Sequence, residues 1–208
     1  MILNPFGLRR KVNNATKRVF REKGSNMILS YLHDLVFLIA VVLIVFSLFF
    51  RIIVVSGPSM KSTLVDGDWL ILLSNVFYCE PEQGDIVVIS KDTYDNGTPI
   101  IKRVIAKEGQ TVDIDFINGY VFVDGERLKE AYVNTPTNLN EGVEFPLTVD
   151  EGCLFVMGDN RNESKDSRSP EIGLIDKHEV LGKAIFLVVP GNEDGALERD
   201  FSRIGVLE

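Results

Sequence analysis

Two side chains of this 208-residue sequence are candidates for nucleophilic chemistry, Ser59 and Lys102. Ser59 stands in Val55-Ser56-Gly57-Pro58-Ser59-Met60-Lys61-Ser62-Thr63-Leu64, directly after a long apolar run. A serine hydroxyl is a weak nucleophile at neutral pH and needs an unprotonated base within hydrogen-bond reach. Histidine is the usual base, but the chain has only two. His33 precedes the apolar run, and His178 lies in the charged segment Asp176-Lys177-His178-Glu179, the setting of a surface side chain.

Lysine serves instead where apolar surroundings disfavour its charged form. In Pro99-Ile100-Ile101-Lys102-Arg103-Val104-Ile105, strand alternation puts Ile100, Lys102 and Val104 on one face, so the amine shares a face with aliphatic neighbours. The same pattern describes a lysine on the solvated face of an edge strand, and the residues alone leave both readings open. Likewise, Ser56-Gly57-Pro58 suits either a turn that offers backbone N–H groups to an oxyanion or a plain linker. Cys79 and Cys153 lie far apart and form no C-x-x-C, so neither a zinc site nor a redox motif is indicated and no cofactor is expected. Whether the two thiols pair stays open.

These groups must be held by two unlike parts of the chain. Residues 1–33 carry seven Lys/Arg and one acid, whereas residues 34–208 carry fifteen and twenty-nine. From Leu35 through Phe50 no charge occurs, and after Arg51 the apolar character resumes through Val55. A helix over that run reaches ~30 Å, the thickness of a bilayer's hydrocarbon core. The run is too long for a signal-peptide core of ~7–15 residues. The sequence therefore predicts a transmembrane helix over residues 34–55, with Arg51 snorkelling near its end. The basic flank predicts a cytoplasmic tail over residues 1–33 and an extracytoplasmic domain over residues 56–208. An acidic body without clustered Lys/Arg excludes nucleic acid as a partner.

Beyond Ser56 the pattern changes to short apolar segments between turns. Strands are predicted at Trp69–Leu73, Asp85–Ile89, Ile100–Ile105, Thr111–Phe116, Tyr120–Val123, Cys153–Met157 and Lys183–Val189. Asn118-Gly119 and Asp124-Gly125 mark hairpin turns. Asn134–Gly142 and Gly158–Pro170 are polar and read as long loops, where functional residues concentrate. The body is thus expected to be all-β.

Four stretches together resemble the bacterial type I signal peptidases, membrane-bound Ser/Lys endopeptidases. Gly57–Leu64 resembles the nucleophile box, Gly84-Asp85-Ile86-Val87-Val88 the strand that follows, and Ile101-Lys102-Arg103-Val104 the general-base box. Gly158-Asp159-Asn160-Arg161-Asn162-Glu163-Ser164-Lys165-Asp166-Ser167-Arg168 resembles the late polar box. The resemblance implies a catalytic domain of coiled antiparallel sheets, with Ser59 as nucleophile and Lys102 as base. Ser164 would orient the lysine, and Asp166 and Arg168 would pair to support the site. It further implies signal peptides of preproteins as partners, cut at Ala-x-Ala-like sites, beside a lipid bilayer. Val55, Met60, Leu64 and Ile101 are the expected walls of shallow substrate pockets, Gly57 is expected to contact the substrate with them, and the substrate is expected to pair by strand addition to residues 53–58. Measured from Val55, Ser59 lies ~13 Å from the end of the span. Two positions depart from many members: Ser62 stands where proline is common, and Gly57 where some supply a second oxyanion-hole hydroxyl. A membrane-tethered binding domain with an inert serine loop is the rival from another class, and a self-cleaving repressor-type Ser/Lys peptidase the rival within this chemistry.

Overall fold

A computed structural model describes residues 27, 29–78, 80–192 and 199–207. The chain divides into two units, Met1–Ser47 and Leu48–Glu208. The basic stretch at residues 1–26 and Cys79 lie outside the described residues.

Helix α1 spans Leu29–Phe49 and is, among the described residues, the one helix long and apolar enough to cross a membrane. Its described side chains from Leu29 to Leu48 are exposed, as they must be if hydrocarbon rather than protein surrounds them. The predicted helix over residues 34–55 is corrected at both ends. Helix begins before residue 34, and it stops at Phe49, where Phe50–Val54 turns into strand β1. The strand contains Ile52, Ile53 and Val54, whose branched side chains fit a pleated surface, and β2 lies alongside to pair with it. Arg51 accordingly belongs to a strand opposite Leu72, not to a helix end.

The second unit is all-β. Its strands are β1 (Phe50–Val54), β2 (Trp69–Ser74), β3 (Ile86–Ile89), β4 (Ile100–Lys107), β5 (Thr111–Asp115) and β6 (Tyr120–Val123). They continue with β7 (Glu126–Arg127), β8 (Leu147–Thr148), β9 (Cys153–Met157), β10 (Ile175–Asp176), β11 (Val180–Val189) and β12 (Gly205–Val206). One sheet runs β1-β2-β11-β3-β4-β9-β10 with β12 beside β11, and a smaller one runs β7-β6-β5-β8. All pairings are antiparallel. Register shifts at Ala184/Phe186, Leu187/Val189, Val180/Gly182 and Val104/Ala106 interrupt the ladders of the larger sheet, and such bulges bend and coil strands.

Both faces of β4 are covered, which leaves residues 101–106 buried throughout. On one side Val104 joins Val87, Ile89, Leu154, Val156, Ile172 and Ile175. On another, Ile105 and Ala106 pack with Val112, Val121, Val123 and Phe155, which ties the small sheet to the large one. The Asp124-Gly125 turn has both residues at positive φ (52° and 81°), the geometry of the tight hairpin its sequence suggests.

Candidate active site

The β1–β2 hairpin presents Ser59. The ladder extends one step past the strands, with the Val55 N–H donating to the Asp68 carbonyl at 2.8 Å and the Gly67 N–H to the Val55 carbonyl at 2.9 Å. Residues 56–66 therefore form the loop at the end of the hairpin. Its interior folds as a compact turn, the Leu64 N–H donating to the Met60 carbonyl at 2.9 Å. Burial of Met60 and Leu64 beside Leu70, Leu72, Ile86 and Val88 roots the turn in the core. Asp68, itself fully buried, accepts from the Val65 N–H at 2.8 Å and from the Arg203 guanidinium at 2.7 Å.

The polar loop after β9 closes over this turn. The Asn160 N–H donates to the Ser59 carbonyl at 3.0 Å, and Asn160 Nδ2 to the Pro58 carbonyl at 3.1 Å. Gly158 is the point of closest approach. A Cβ there would stand 2.1 Å from Ser164 Oγ and 2.4 Å from the Ser59 carbonyl oxygen, so no other residue fits without displacing one of them. Asp166 accepts from the Gly158 N–H at 3.0 Å and binds Arg168 through both oxygens, at 2.8 Å each. Asp166 and Arg168 are both fully buried, and Ser164 Oγ is buried with no partner among the described residues.

Lys102 comes from β4, flanked by β3 through its pairing with Val87. It is only 3% exposed, and among the described residues its amine makes no ion pair or hydrogen bond. Burial pushes the amine down from its ordinary value to about 8, against the opposing pull of Asp166 and Glu141. Ser59 and Lys102 line one cleft of about 390 Å³ together with Ile53, Val55, Met60 and Ile101. The half-buried Ser59 N–H has no partner among the described residues and is available to an oxyanion. The cleft also borders β1, whose outer edge is unpaired in the sheet order.

The expected pocket walls divide. Val55, Met60 and Ile101 line the cleft, whereas Leu64 is fully buried beneath the turn in the core and Gly57 does not line the cleft. Gly57 sits at φ +89° with its N–H on Asp66, and a Cβ there would meet nothing within 4 Å. The backbone conformation, not crowding, is what favours glycine. His178 is out in solvent, its side chain 97% exposed beside Asp176. Cys153 is a free thiol.

Sequence reasoning missed the network on the other face of β4. Arg103 is 2% exposed and donates to both oxygens of Asp159 at 2.9 and 2.8 Å and to the Gly84 carbonyl at 2.8 Å. Its guanidinium stacks 4.0 Å over the Tyr132 ring, and Asp159 in turn accepts from the Thr63 hydroxyl at 2.5 Å. Arg161 does the same for a neighbouring loop through Glu130 and Thr137. The missed signal was alternation itself: a buried Lys102 implies an Arg103 on the opposite face of a strand buried on both sides, and a buried guanidinium requires a partner.

A family model described as "Signal peptidase, peptidase S26" matches residues 28–189, the hairpin loop, β4 and the polar loop all inside it. The chain belongs to this signal peptidase family. As a member it is a serine peptidase. Among its relatives, a probable signal peptidase I-1 of Synechocystis sp. is 37% identical over 150 residues, covering 69% of this chain and 73% of that protein. Signal peptidase I of Bacillus licheniformis is 34% identical over 176 residues, 81% of this chain and 92% of that protein. Signal peptidase I T of Bacillus subtilis is 32% identical over 189 residues, 87% and 95% respectively. A crystal structure of a signal peptidase I from Enterococcus faecalis aligns with a TM-score of 0.41 at 31% identity, covering 50% of this chain and 96% of that one. In this chain the all-β unit carries both Ser59 and Lys102.

Proposed function

We propose that this peptidase is membrane-anchored through α1 and removes signal peptides from preproteins at Ala-x-Ala-like sites, using Ser59 as nucleophile and Lys102 as general base. The observation that carries the reading is a buried lysine that, among the described residues, has no partner and lines the same cleft as a serine whose N–H is unengaged among them. An amine at about 8 is neutral in roughly one molecule in ten at pH 7, and a bound substrate that displaces water raises that share.

In this reading the Ser59 hydroxyl gives its proton to Lys102 Nζ as Oγ attacks the scissile carbonyl. The oxyanion meets the Ser59 N–H. The Lys102 ammonium then passes its proton to the leaving amine, and a water activated by the same amine releases the acyl group. Ser164, buried beside Gly158 with a free hydroxyl, is suited to orient Nζ. Asp166 and Arg168 stiffen the loop that carries it. The substrate enters extended along the free edge of β1, its small side chains against Val55, Met60 and Ile101, with main-chain pairing supplying affinity. The basic residues before α1 set the amino terminus in the cytoplasm and the all-β unit outside. Because helix ends at Phe49, Ser59 follows it by ten residues rather than the four counted from Val55, and the ~13 Å estimate no longer holds.

The test uses the detergent-solubilised full chain and a labelled preprotein carrying an Ala-x-Ala site. Cleavage after the second alanine, read by sequencing the new amino terminus, is expected from the wild type. Ser59→Ala is expected to give none while melting as the wild type does. Cleavage elsewhere or by Ser59→Ala would sink the reading.

A further inference from the structure

Among the described residues, four that are not glycine have positive φ: Asp95 (47°), Asn96 (54°), Asp124 (52°) and Ser62 (117°). The first three are Asp or Asn near the left-handed well that such side chains tolerate. Ser62 differs. It has neither a tolerant side chain nor a φ inside that well, and a backbone of this kind persists only where its surroundings hold it. A proline here, with φ fixed at about −65°, would need a different turn.

The Ser62 hydroxyl donates to the Tyr132 carbonyl at 2.7 Å, across a long separation in sequence. Tyr132 is a fixed post. The Arg103 guanidinium lies 4.0 Å over its ring, and its hydroxyl donates to Glu130 at 3.2 Å. Glu130 in turn accepts from Arg161 of the late polar loop at 3.1 Å. The turn is also anchored on either side of Ser62. Asn160 holds the carbonyls of Pro58 and Ser59, while Thr63 donates to Asp159 at 2.5 Å and accepts from Arg203 at 3.3 Å. Between those anchors the Ser62 hydroxyl ties the turn to the segment that carries Tyr132. Ser62 does not line the cleft that holds Ser59 and Lys102, so its effect on the reaction passes through the turn.

We propose that Ser62 is a positioning residue for the reaction, whose hydroxyl, bonded to the Tyr132 carbonyl, holds the strained backbone that keeps Ser59 aimed into the cleft. Without the bond the backbone relaxes from φ 117°, and Ser59, three residues back in the same turn, moves with it. Glycine adopts such a φ at no steric cost, so it keeps the shape of the turn and loses only the tether. Alanine loses the tether and still meets the strain. The inference rests on Ser59 being the nucleophile.

The experiment is single-turnover cleavage of a labelled preprotein carrying an Ala-x-Ala site, with the full chain in excess in detergent, comparing wild type, Ser62→Ala, Ser62→Gly and Ser59→Ala. At saturating enzyme the rate constant is expected to fall about ten- to fiftyfold in Ser62→Ala and about three- to fivefold in Ser62→Gly. The half-saturating concentration and the amplitude should stay within about twofold of wild type in both. A merely structural residue would lower the amplitude and the melting temperature, leave the rate constant in place and rank glycine below alanine. An unchanged rate constant in Ser62→Ala, or Ser62→Gly slower than Ser62→Ala, therefore overturns the proposal. Should Ser62→Ala not fold, Ser62→Gly decides alone, a wild-type rate counting against the proposal, and failure of both to fold also overturns it. Cleavage by Ser59→Ala overturns the reading of Ser59 as nucleophile, whereas wild-type rates in both Ser62 variants alongside an inactive Ser59→Ala overturn only the role of Ser62.

Discussion

Lys102 and Arg103 are neighbours on β4 and almost equally buried, at 3% and 2% exposed, yet the two faces of the strand treat them in opposite ways. Arg103 meets a bidentate carboxylate, a backbone carbonyl and an aromatic ring. Lys102 meets aliphatic walls and, among the described residues, no partner. Burial with a partner makes a cation a fastener, because the charge is compensated only while the fold is intact. Burial without one loosens its proton, because desolvation costs the charged form more than the neutral one. The side-chain types suit these fates: a guanidinium stays charged and binds carboxylates through two bonds, while an ammonium gives up its proton when desolvated.

The comparison can be broken most severely at Lys102. Lys102→Ala and Lys102→His should each lower turnover by about 10⁴-fold or more, since the imidazole is shorter and differently aimed. Neither should lower the melting temperature greatly, because no partner is orphaned. The reverse holds opposite. Asp159→Ala should destabilise the domain by about 3–5 kcal/mol in denaturant titration, as it strands the Arg103 guanidinium in the core.

A linkage measurement sharpens the contrast. The folded Lys102 holds its proton more weakly, at about 8 against the ordinary 10.5, so between those values the unfolded chain binds more protons. Unfolding free energy should therefore rise by about 3 kcal/mol as pH climbs through that window, stay flat in this respect below it, and lose the rise in Lys102→Met. The smallest effect belongs to His178→Ala. With the ring fully in solvent, turnover should change by less than about twofold.

The fold was largely legible because most strands are aliphatic runs bounded by turn residues. β2, β3, β4, β5, β6, β9 and β11 fall where alternation and turns put them, within the residue or two by which strand ends vary, except that β11 begins three residues earlier than predicted. β1 was hidden because an apolar stretch from Leu35 to Val55 carries no punctuation at Phe50, and short apolar runs do not distinguish helix from strand. The two-residue strands β7, β8, β10 and β12 are products of pairing, not of local sequence. Within the candidate site, the residues alone left Ser59 and Lys102 open between a reactive pair and a linker beside a solvated lysine, because alternation does not tell a buried strand from an edge strand. Ser164, Asp166 and Arg168 were singled out only through the resemblance. Leu64 was misassigned since a turn residue's side chain can point either to the cleft or to the core, and only packing decides. Asp159, Thr63 and Tyr132 were invisible because their roles depend on contacts between distant segments.

The central claim is that the base is an amine whose proton burial loosens enough for its neutral form to be reached near neutral pH. It is tested most directly by the rate at which Ser59 is acylated in a single turnover, followed from pH 6 to pH 10 with a labelled preprotein and wild-type enzyme. The account predicts a rise of about tenfold per pH unit that levels off near or somewhat below 8. A rate independent of pH, or an inflection near ~6.5 that disappears in His178→Ala, would contradict it.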